Sequence, residues 1–239
     1  MGLLLDNGVD VVSHYTPLHY LPFIERSKAL RSKPALLAAG FVDSHFRSKS
    51  KRHDVGRGFG NYTFLTLDSS PRIVRAKLAG GFPHIAILVP AAAIEDAGFE
   101  LCRFNVAMTR RLRRGATIGW SESSTNGRYY GQRQVPVART SADVSAMLGR
   151  HLGKTMIEVL VRNQLALPDD TTVVAYHPAD HKILVDVLDA TNSPWKAALA
   201  EAPGPYPRKA THVRAVQEFV DHAIADDAWR GNGLEFDRV

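Results

Sequence analysis

The sequence predicts an α+β fold with one main body. Short runs of β-branched and aromatic residues mix with amphipathic segments, and the regular strand–helix alternation of a doubly wound sheet is missing. Hydrophobic residues form 45% of the 239-residue chain, which is ample for a core. No linker, repeat or low-complexity tract divides the chain. We therefore expect one domain, residues 1–190, with a helical extension, residues 191–239, packed on it.

Local patterns predict the elements of the first half. Residues 9–14 form a strand, and residues 18–28 form a helix that begins near Thr16, with Pro17 at its first turn. A long basic loop follows over residues 31–60. Beyond it, we predict a strand over 62–67, a short helix over 71–78 and a buried strand over 84–89.

The second half begins with another long loop, residues 119–140, in which aromatic and Arg side chains interleave. Ser141 is predicted to cap a helix that ends near Leu152. Three strands are predicted over 155–161, 172–176 and 183–187, and helical structure from residue 192 onward. Within that last part, residues 215–225 are amphipathic.

Several classes of protein are disfavoured by composition. A single cysteine, Cys102, permits neither a disulfide framework nor a thiolate metal site within one chain. His177 and His181 have the spacing of helical metal ligands, but Pro178 and the flanking predicted strands favour a hairpin turn, so no metal is expected. The apolar stretch 85–94 is too short to cross a bilayer, and no secretion signal is evident. We expect a cytoplasmic protein without membrane contact.

Positive charge is concentrated in two clusters, one over residues 26–57 and one formed by Arg103, Arg110, Arg111, Arg113 and Arg114. The net charge is +6, and residues 26–57 contain nine Lys or Arg against two Asp, a local balance of +7. Such clusters are often solvated faces, but two of them in a small basic protein favour a phosphate-rich partner, DNA or RNA. Aromatic side chains between arginines provide surfaces on which unpaired bases stack. The candidate nucleic-acid-binding residues are Arg47, Lys49, Lys51, Arg57, Trp120, Arg128, Tyr129 and Arg133.

Glu158 is an isolated carboxylate in the apolar run TMIEVLVRNQLALP, whose residues are strand formers. Burying an unpaired carboxylate costs several kcal/mol, so Glu158 either faces water at a strand edge or lies in a cleft that needs its charge. Together with His14 and Arg52, it indicates a split active site that holds a dinucleotide.

Short motifs around these three residues resemble the DarT family of DNA ADP-ribosyltransferases. His14, Thr16 and the Leu-Pro-Phe-Ile run at 21–24 are similar to the family's N-terminal NAD-binding element, with Tyr20 where the family has asparagine. Arg52 precedes the strand NYTFLTL and a Ser-Pro turn, as the family's catalytic arginine does. Glu158 resembles the family's catalytic glutamate, and the resemblance covers roughly residues 10–188.

This resemblance implies an ADP-ribosyltransferase-like fold, with two packed, mainly antiparallel sheets around an NAD cleft and flanking helices. It implies that Glu158 and Arg52 are catalytic, and that His14, Thr16, Tyr20 and Tyr62 contact NAD, the donor substrate. The acceptor would be a nucleobase, most simply on single-stranded DNA, because a base within a duplex is unreachable without flipping. A macrodomain-type antitoxin partner is implied as well.

Two alternatives stay open at this point. The same chemistry can act on RNA or on a protein side chain. Otherwise the chain is a catalytically idle nucleic-acid-binding module on the same scaffold.

Overall fold

The computed structural model describes residues 2–38, 59–67, 71–103, 137–154 and 156–225. Nine of the predicted site residues lie outside these ranges, and they therefore stay predictions. They are Arg47, Lys49, Lys51, Arg52, Arg57, Trp120, Arg128, Tyr129 and Arg133.

The described residues contain ten strands, seven α-helices and two short 3₁₀ turns. The strands are β1 Val11–Pro17, β2 Ala29–Arg31, β3 Tyr62–Thr66, β4 His84–Pro90, β5 Glu100–Arg103, β6 Val137–Ala138, β7 Ile157–Arg162, β8 Gln164–Ala166, β9 Thr172–Ala175 and β10 Lys196–Leu199. The α-helices are α1 Leu21–Ser27, α2 Lys33–Ala38, α3 Pro71–Leu78, α4 Ala91–Ala97, α5 Ser141–His151, α6 Pro178–Ala190 and α7 Ala210–Ala225. The 3₁₀ turns are Leu5–Asn7 and Leu18–Tyr20.

Eight strands form one sheet in the order β10-β9-β4-β1-β3-β7-β5-β6, and β2 pairs with β8 in a separate antiparallel pair. The large sheet consists of two halves that meet between β1 and β3. These central strands pair at one position, Ser13 with Thr66, whereas β1 pairs with β4 along its whole length. Each half is mainly antiparallel, and β9 with β10 is the parallel pair among the described strands. The sheet is therefore split at its centre.

The main core lies on one face of this sheet. Alternate side chains of the strands point to that face, among them Val12, Ile85, Ile87, Val159 and Val173. The same cluster includes buried side chains from α4, α5, α6 and α7, such as Ile94, Leu148, Leu184 and Val220. The helices thus cover one face, which we call the core face, and Ser13, Thr66 and Glu158 project to the other.

The predicted α+β class is confirmed. The strands at 62–67 and 84–89, the helix at 71–78 and the strand around Glu158 are found with small differences at their ends. The helix predicted to start at Ser141 is also present, although the capping residue is Thr140, whose hydroxyl accepts from the backbone N–H of Asp143. Strong local periodicity therefore predicted these elements well.

The predicted strand at 183–187 is wrong, because these residues lie inside helix α6. Ile183, Leu184, Val187 and Leu188 are buried with the spacing of one helical face. The hairpin turn predicted at His177 is wrong for the same reason: His177 is the N-cap of α6, its Nδ1 accepting from the Ala179 N–H at 3.1 Å, with Pro178 in the first turn. A short apolar run does not by itself distinguish a buried strand from a buried helix.

The region after residue 190 is not helical throughout. Residues 196–199 form β10, which extends the large sheet beside β9, before helix α7 begins at Ala210. Helix α7 packs on the body through Phe219 and Val220, which are buried. No helix in the described part of the chain is long and apolar enough to span a membrane.

A candidate active site at the split of the sheet

Glu158 lies in a row of side chains that runs across the sheet. Ser13 of β1 pairs with Thr66 of β3, Thr66 with Glu158 of β7, and Glu158 with Cys102 of β5. Directly paired residues of antiparallel strands project to the same face, so these four side chains lie side by side opposite the core face. The row crosses the Ser13–Thr66 pair, which joins the two halves of the sheet among the described residues.

Glu158 is buried, with 5% of its surface exposed. Its neighbours in the row, Ser13 and Thr66, are also buried polar residues, at 6% each. The Thr66 hydroxyl donates to the carbonyl of Ile157, and the Leu67 N–H donates to the same oxygen. These bonds fix the backbone directly before Glu158, so the carboxylate is held in a polar strip of an otherwise apolar strand.

Helix α3 contributes a cation close to this row. Although Lys77 is exposed, partial desolvation lowers the pKa of its ammonium group, and the negative charge of Glu158 opposes that shift. The positive charge of Lys77 also helps to lower the pKa of His14 and of His84. Lys77 therefore lies within electrostatic reach of both Glu158 and His14, on either side of the split.

His14 bridges the split itself. Immediately after the Ser13–Thr66 pair the two strands separate, and the His14 Nδ1 lies 2.8 Å from the carbonyl oxygen of Phe64. A carbonyl only accepts, so Nδ1 carries the proton and Nε2 is left as an acceptor. Burial lowers the pKa of His14 to about 4, which the bond to Phe64 partly offsets, so the imidazole is neutral at pH 7.

Two threonines flank this imidazole along the strands. Thr16 is buried at 6% and pairs with Ile85 on the same side of β1 as His14. Thr63 of β3 is also buried, and its hydroxyl has no hydrogen-bond partner within the part of the chain that the structure describes. An unsatisfied buried hydroxyl beside a split between strands is a feature that a polar ligand can satisfy.

The structure places Tyr20 away from this row. Its half-buried ring packs with Phe23 and Phe219, and lies 4.1 Å, centroid to centroid, from that of His19. Burial raises the pKa of Tyr20 to about 12, so its hydroxyl stays protonated. Tyr20 thus belongs to the contact between the N-terminal segment and helix α7, and its predicted contact with NAD stays a prediction.

Tyr62 lies four residues before Thr66 on β3, about 13 Å along the strand. It is buried at 6% and packs on Phe59. Its hydroxyl donates to Glu100 and accepts from Arg162, at 3.1 Å in both cases. The structure therefore brings Tyr62 together with charged residues at the far end of the sheet, and not with Glu158.

Of the predicted site residues, the structure brings His14 and Glu158 to the same split. Arg52, the second predicted catalytic residue, lies outside the described residues. Ser13, Thr66 and Lys77 were not predicted from the sequence. Ser13 and Thr66 are recognisable only from the register of distant strands, and Lys77 resembles any other cation of an amphipathic helix.

Chemically, the site offers a buried carboxylate, a neutral imidazole acceptor and a nearby ammonium group. A fixed negative charge stabilises positive charge that develops on a bound substrate, and the imidazole Nε2 can accept from a hydroxyl. Among the described residues, no group of three His, Cys, Asp or Glu side chains is arranged to hold a metal ion.

The chain is similar to known proteins in structure and not in sequence. No protein-family model matches it, and no curated protein sequence matches it. Among solved structures, DarT from Thermus sp. 2.9 in complex with ADP-ribosylated ssDNA superposes with a TM-score of 0.52 at 12% identity, covering 81% of this chain and 94% of that one. DarT of the same source in complex with NAD+ gives 0.48 at 11%, covering 81% and 96%. DarTG from Thermosipho africanus in complex with ADP-ribose gives 0.47 at 9%, covering 81% and 50%.

The likeness to the first of these structures spans nearly all of that protein. At this level of identity it shows the fold. The chain therefore has a DarT-like ADP-ribosyltransferase fold, as the motifs around His14 and Glu158 implied.

Proposed function

We propose that the protein is an NAD-dependent mono-ADP-ribosyltransferase that modifies a nucleobase of single-stranded DNA, as a toxin or defence effector. The observation that carries the proposal is Glu158, a buried carboxylate in a polar row at the split of an ADP-ribosyltransferase fold. A buried ionisable side chain at such a split is a candidate for catalytic chemistry.

In the proposed reaction, the bond between the nicotinamide nitrogen and the ribose breaks, and its electron pair leaves with nicotinamide. A base nitrogen forms the new bond to the same ribose carbon and releases its proton to water. Positive charge develops on the sugar along the way, and Glu158 stabilises it. His14 holds a sugar hydroxyl through its Nε2 acceptor, because Nδ1 is committed to Phe64.

Arg52 is proposed to steer and orient the acceptor electrostatically, since a guanidinium is a poor base with a pKa above about 12. Lys77 adds a second positive charge near the reacting groups. Positive charge favours both the ionised form of a nearby carboxylate and the approach of a phosphate-bearing substrate.

The DarT structure with ADP-ribosylated ssDNA supports single-stranded DNA as the acceptor to test first. The partner proposed with it is a macrodomain-type antitoxin that removes ADP-ribose, which the sequence resemblance implies. A cytoplasmic location is part of the same proposal.

The experiment is an incubation of the purified protein with NAD and mixed single-stranded DNA and RNA oligonucleotides, followed by mass measurement. The expected result is a DNA product heavier by one ADP-ribose unit, with release of nicotinamide. A mark on RNA alone would keep the chemistry and replace the acceptor. No mark on any oligonucleotide, with NAD left intact, would contradict the proposal and favour an idle binding module.

A further inference from the structure

A network of polar and charged side chains lies on the same sheet face as Glu158, toward the other end of the strands. Arg162 of β7 donates from its guanidinium to the Tyr62 hydroxyl oxygen at 3.1 Å, and that hydroxyl donates to Glu100 Oε1 at 3.1 Å. Arg139, which follows β6, places its Nε 3.2 Å from Glu100 Oε2. Two arginines are thus connected through one tyrosine and one carboxylate.

The two arginines of this network are exposed, whereas Tyr62 and Glu100, which contact them, are mostly buried. Arg162 is exposed, and 64% of the Arg139 side chain is exposed. Tyr62 is buried at 6%, and 18% of the Glu100 side chain is exposed. The guanidinium of Arg162 also lies over the Tyr62 ring, 5.5 Å from its centroid. Exposed arginines ordinarily sample many rotamers, so an arginine held on both a ring and a hydroxyl is pre-organised.

The position of this pair relative to Glu158 follows from strand register. Residues 158, 160 and 162 of β7 point to one face, so Arg162 lies on the face of Glu158 and about 13 Å along the strand. Leu160 pairs with Glu100, and this pair lies two residues along the strands from the Glu158–Cys102 pair. Arg139 thus lies about 7 Å along and two strands across from Glu158. Both arginines therefore lie on the sheet face that carries Glu158, to the same side of it along the strands.

The local charge favours an anion. Arg162 and Arg139 contribute two positive charges and Glu100 one negative charge, a balance of +1. Glu100 accepts from Tyr62 and lies beside Arg139 Nε, and each exposed guanidinium has five N–H donors, more than these contacts use. A planar, fixed guanidinium matches the two oxygens of a phosphodiester group.

We propose that Arg162 and Arg139 form a binding site for the phosphodiester backbone of the acceptor strand, positioned by Tyr62 and Glu100. This inference rests on the proposed function, because it assumes that the acceptor whose base reaches Glu158 is a single-stranded nucleic acid, and we commit to DNA. Tyr62 then acts as a positioning residue for Arg162, in place of the contact with NAD that the resemblance implied.

The test is the salt dependence of oligonucleotide binding, measured by fluorescence anisotropy with a labelled single-stranded DNA and the RNA of the same sequence. Each phosphate contact on a single strand contributes about 0.7 to the slope of log affinity against log salt. Arg162→Gln and Arg139→Gln should each lower the slope by about that amount, and the double variant by about twice as much. Tyr62→Phe should weaken binding without lowering the slope by a full contact, because it loosens Arg162 and keeps its charge.

The matched control is Arg214→Gln, which removes another exposed arginine, one that is ion-paired with Glu218 on helix α7, on the core side of the sheet. It should leave the slope unchanged. NAD hydrolysis without oligonucleotide is measured in parallel, and both arginine variants should retain it, since neither residue lies in the Glu158 row. If the slope of log affinity against log salt were unchanged in the double variant, the proposal would be overturned, and the network would only stabilise the sheet.

The parallel measurement separates this proposal from the proposed function. Salt-dependent binding that falls in the arginine variants, in a protein that never cleaves NAD, would support the phosphodiester site and contradict the transferase. NAD cleavage without DNA binding by the wild-type protein would support the transferase and overturn the phosphodiester site. If the arginine variants lowered the salt slope for RNA binding but not for DNA binding, RNA would replace DNA as the strand that this site binds. That result would contradict our choice of DNA.

Discussion

At the scale of single residues, the site depends on keeping polar groups buried in defined protonation states. The proton on His14 Nδ1 is fixed by the Phe64 carbonyl, and Glu158 is held in a row with Ser13 and Thr66. Each of these groups costs free energy to bury, and each is held by a neighbouring strand. Because His14 spans the split, its protonation state is coupled to the stability of the fold.

We predict that acid destabilises the protein through His14. Its folded-state pKa of about 4 lies below the ordinary value of 6.5, so the unfolded chain takes up the proton first as pH falls. Stability is therefore fully present above pH 6.5 and is lost between 6.5 and 4. At pH 5 the loss is about 1 to 2 kcal/mol, relative to a variant without the imidazole.

The variant for this comparison is His14→Asn, whose amide N–H can replace the donor to Phe64 and does not titrate near neutrality. Urea unfolding of both proteins between pH 4.5 and 7.5 measures the difference. The wild-type protein should lose stability faster than the variant on acidification. Parallel curves would show that His14 is not held neutral by the fold.

At the scale of elements, one irregular segment fastens the C-terminal part of the chain to the body. Residues 200–209 have no helix or strand and join β10 to α7. Arg208 and Tyr206 in this segment both bond to Asp180 of α6, at 2.5 and 3.0 Å, and Asp180 has no exposed surface. The segment also packs on Gly81, where an added Cβ would lie 2.2 Å from the Pro207 carbonyl oxygen. Gly81 follows α3, so this contact supports the helix that carries Lys77.

We predict that Asp180→Ala lowers the free energy of unfolding by about 3 kcal/mol, because breaking a buried ion pair leaves the Arg208 charge mostly buried without its partner. The control is Asp186→Ala on the same helix, whose carboxylate pairs with Lys182 at the surface. The control should cost less than about 1 kcal/mol. Denaturant titration measures both variants, and equal effects would argue against an anchoring role for Asp180.

Local patterns predicted the elements whose periodicity is strong, such as β4 and α3. They failed at residues 183–187, where an apolar run fits a strand or a helix and the decision depends on packing against the sheet. They also missed β5 and β10, short strands that are defined by their neighbours and not by their own sequences.

At the scale of the whole molecule, function depends on how distant strands are aligned. Glu158 was recognisable as an isolated carboxylate, and its neighbour Thr66 was not, because no local pattern specifies that β1, β3 and β7 meet in one row. The split between the two halves of the sheet has the same origin. It arises where β1 and β3, as far as the chain is described, pair at one position, and it brings His14 and Glu158 within reach of the same cation.

The measurement that tests the central claim most directly is the initial rate of ADP-ribose transfer from NAD to single-stranded DNA in the wild-type protein, Glu158→Gln and Glu218→Gln. The last variant changes an exposed glutamate of α7 in the same way and serves as the control. We predict that Glu158→Gln lowers the rate by at least about a hundredfold while leaving the thermal midpoint within a few degrees, and that the control retains full activity. Wild-type rates in a folded Glu158→Gln protein would contradict the assignment of Glu158 and the site built around it.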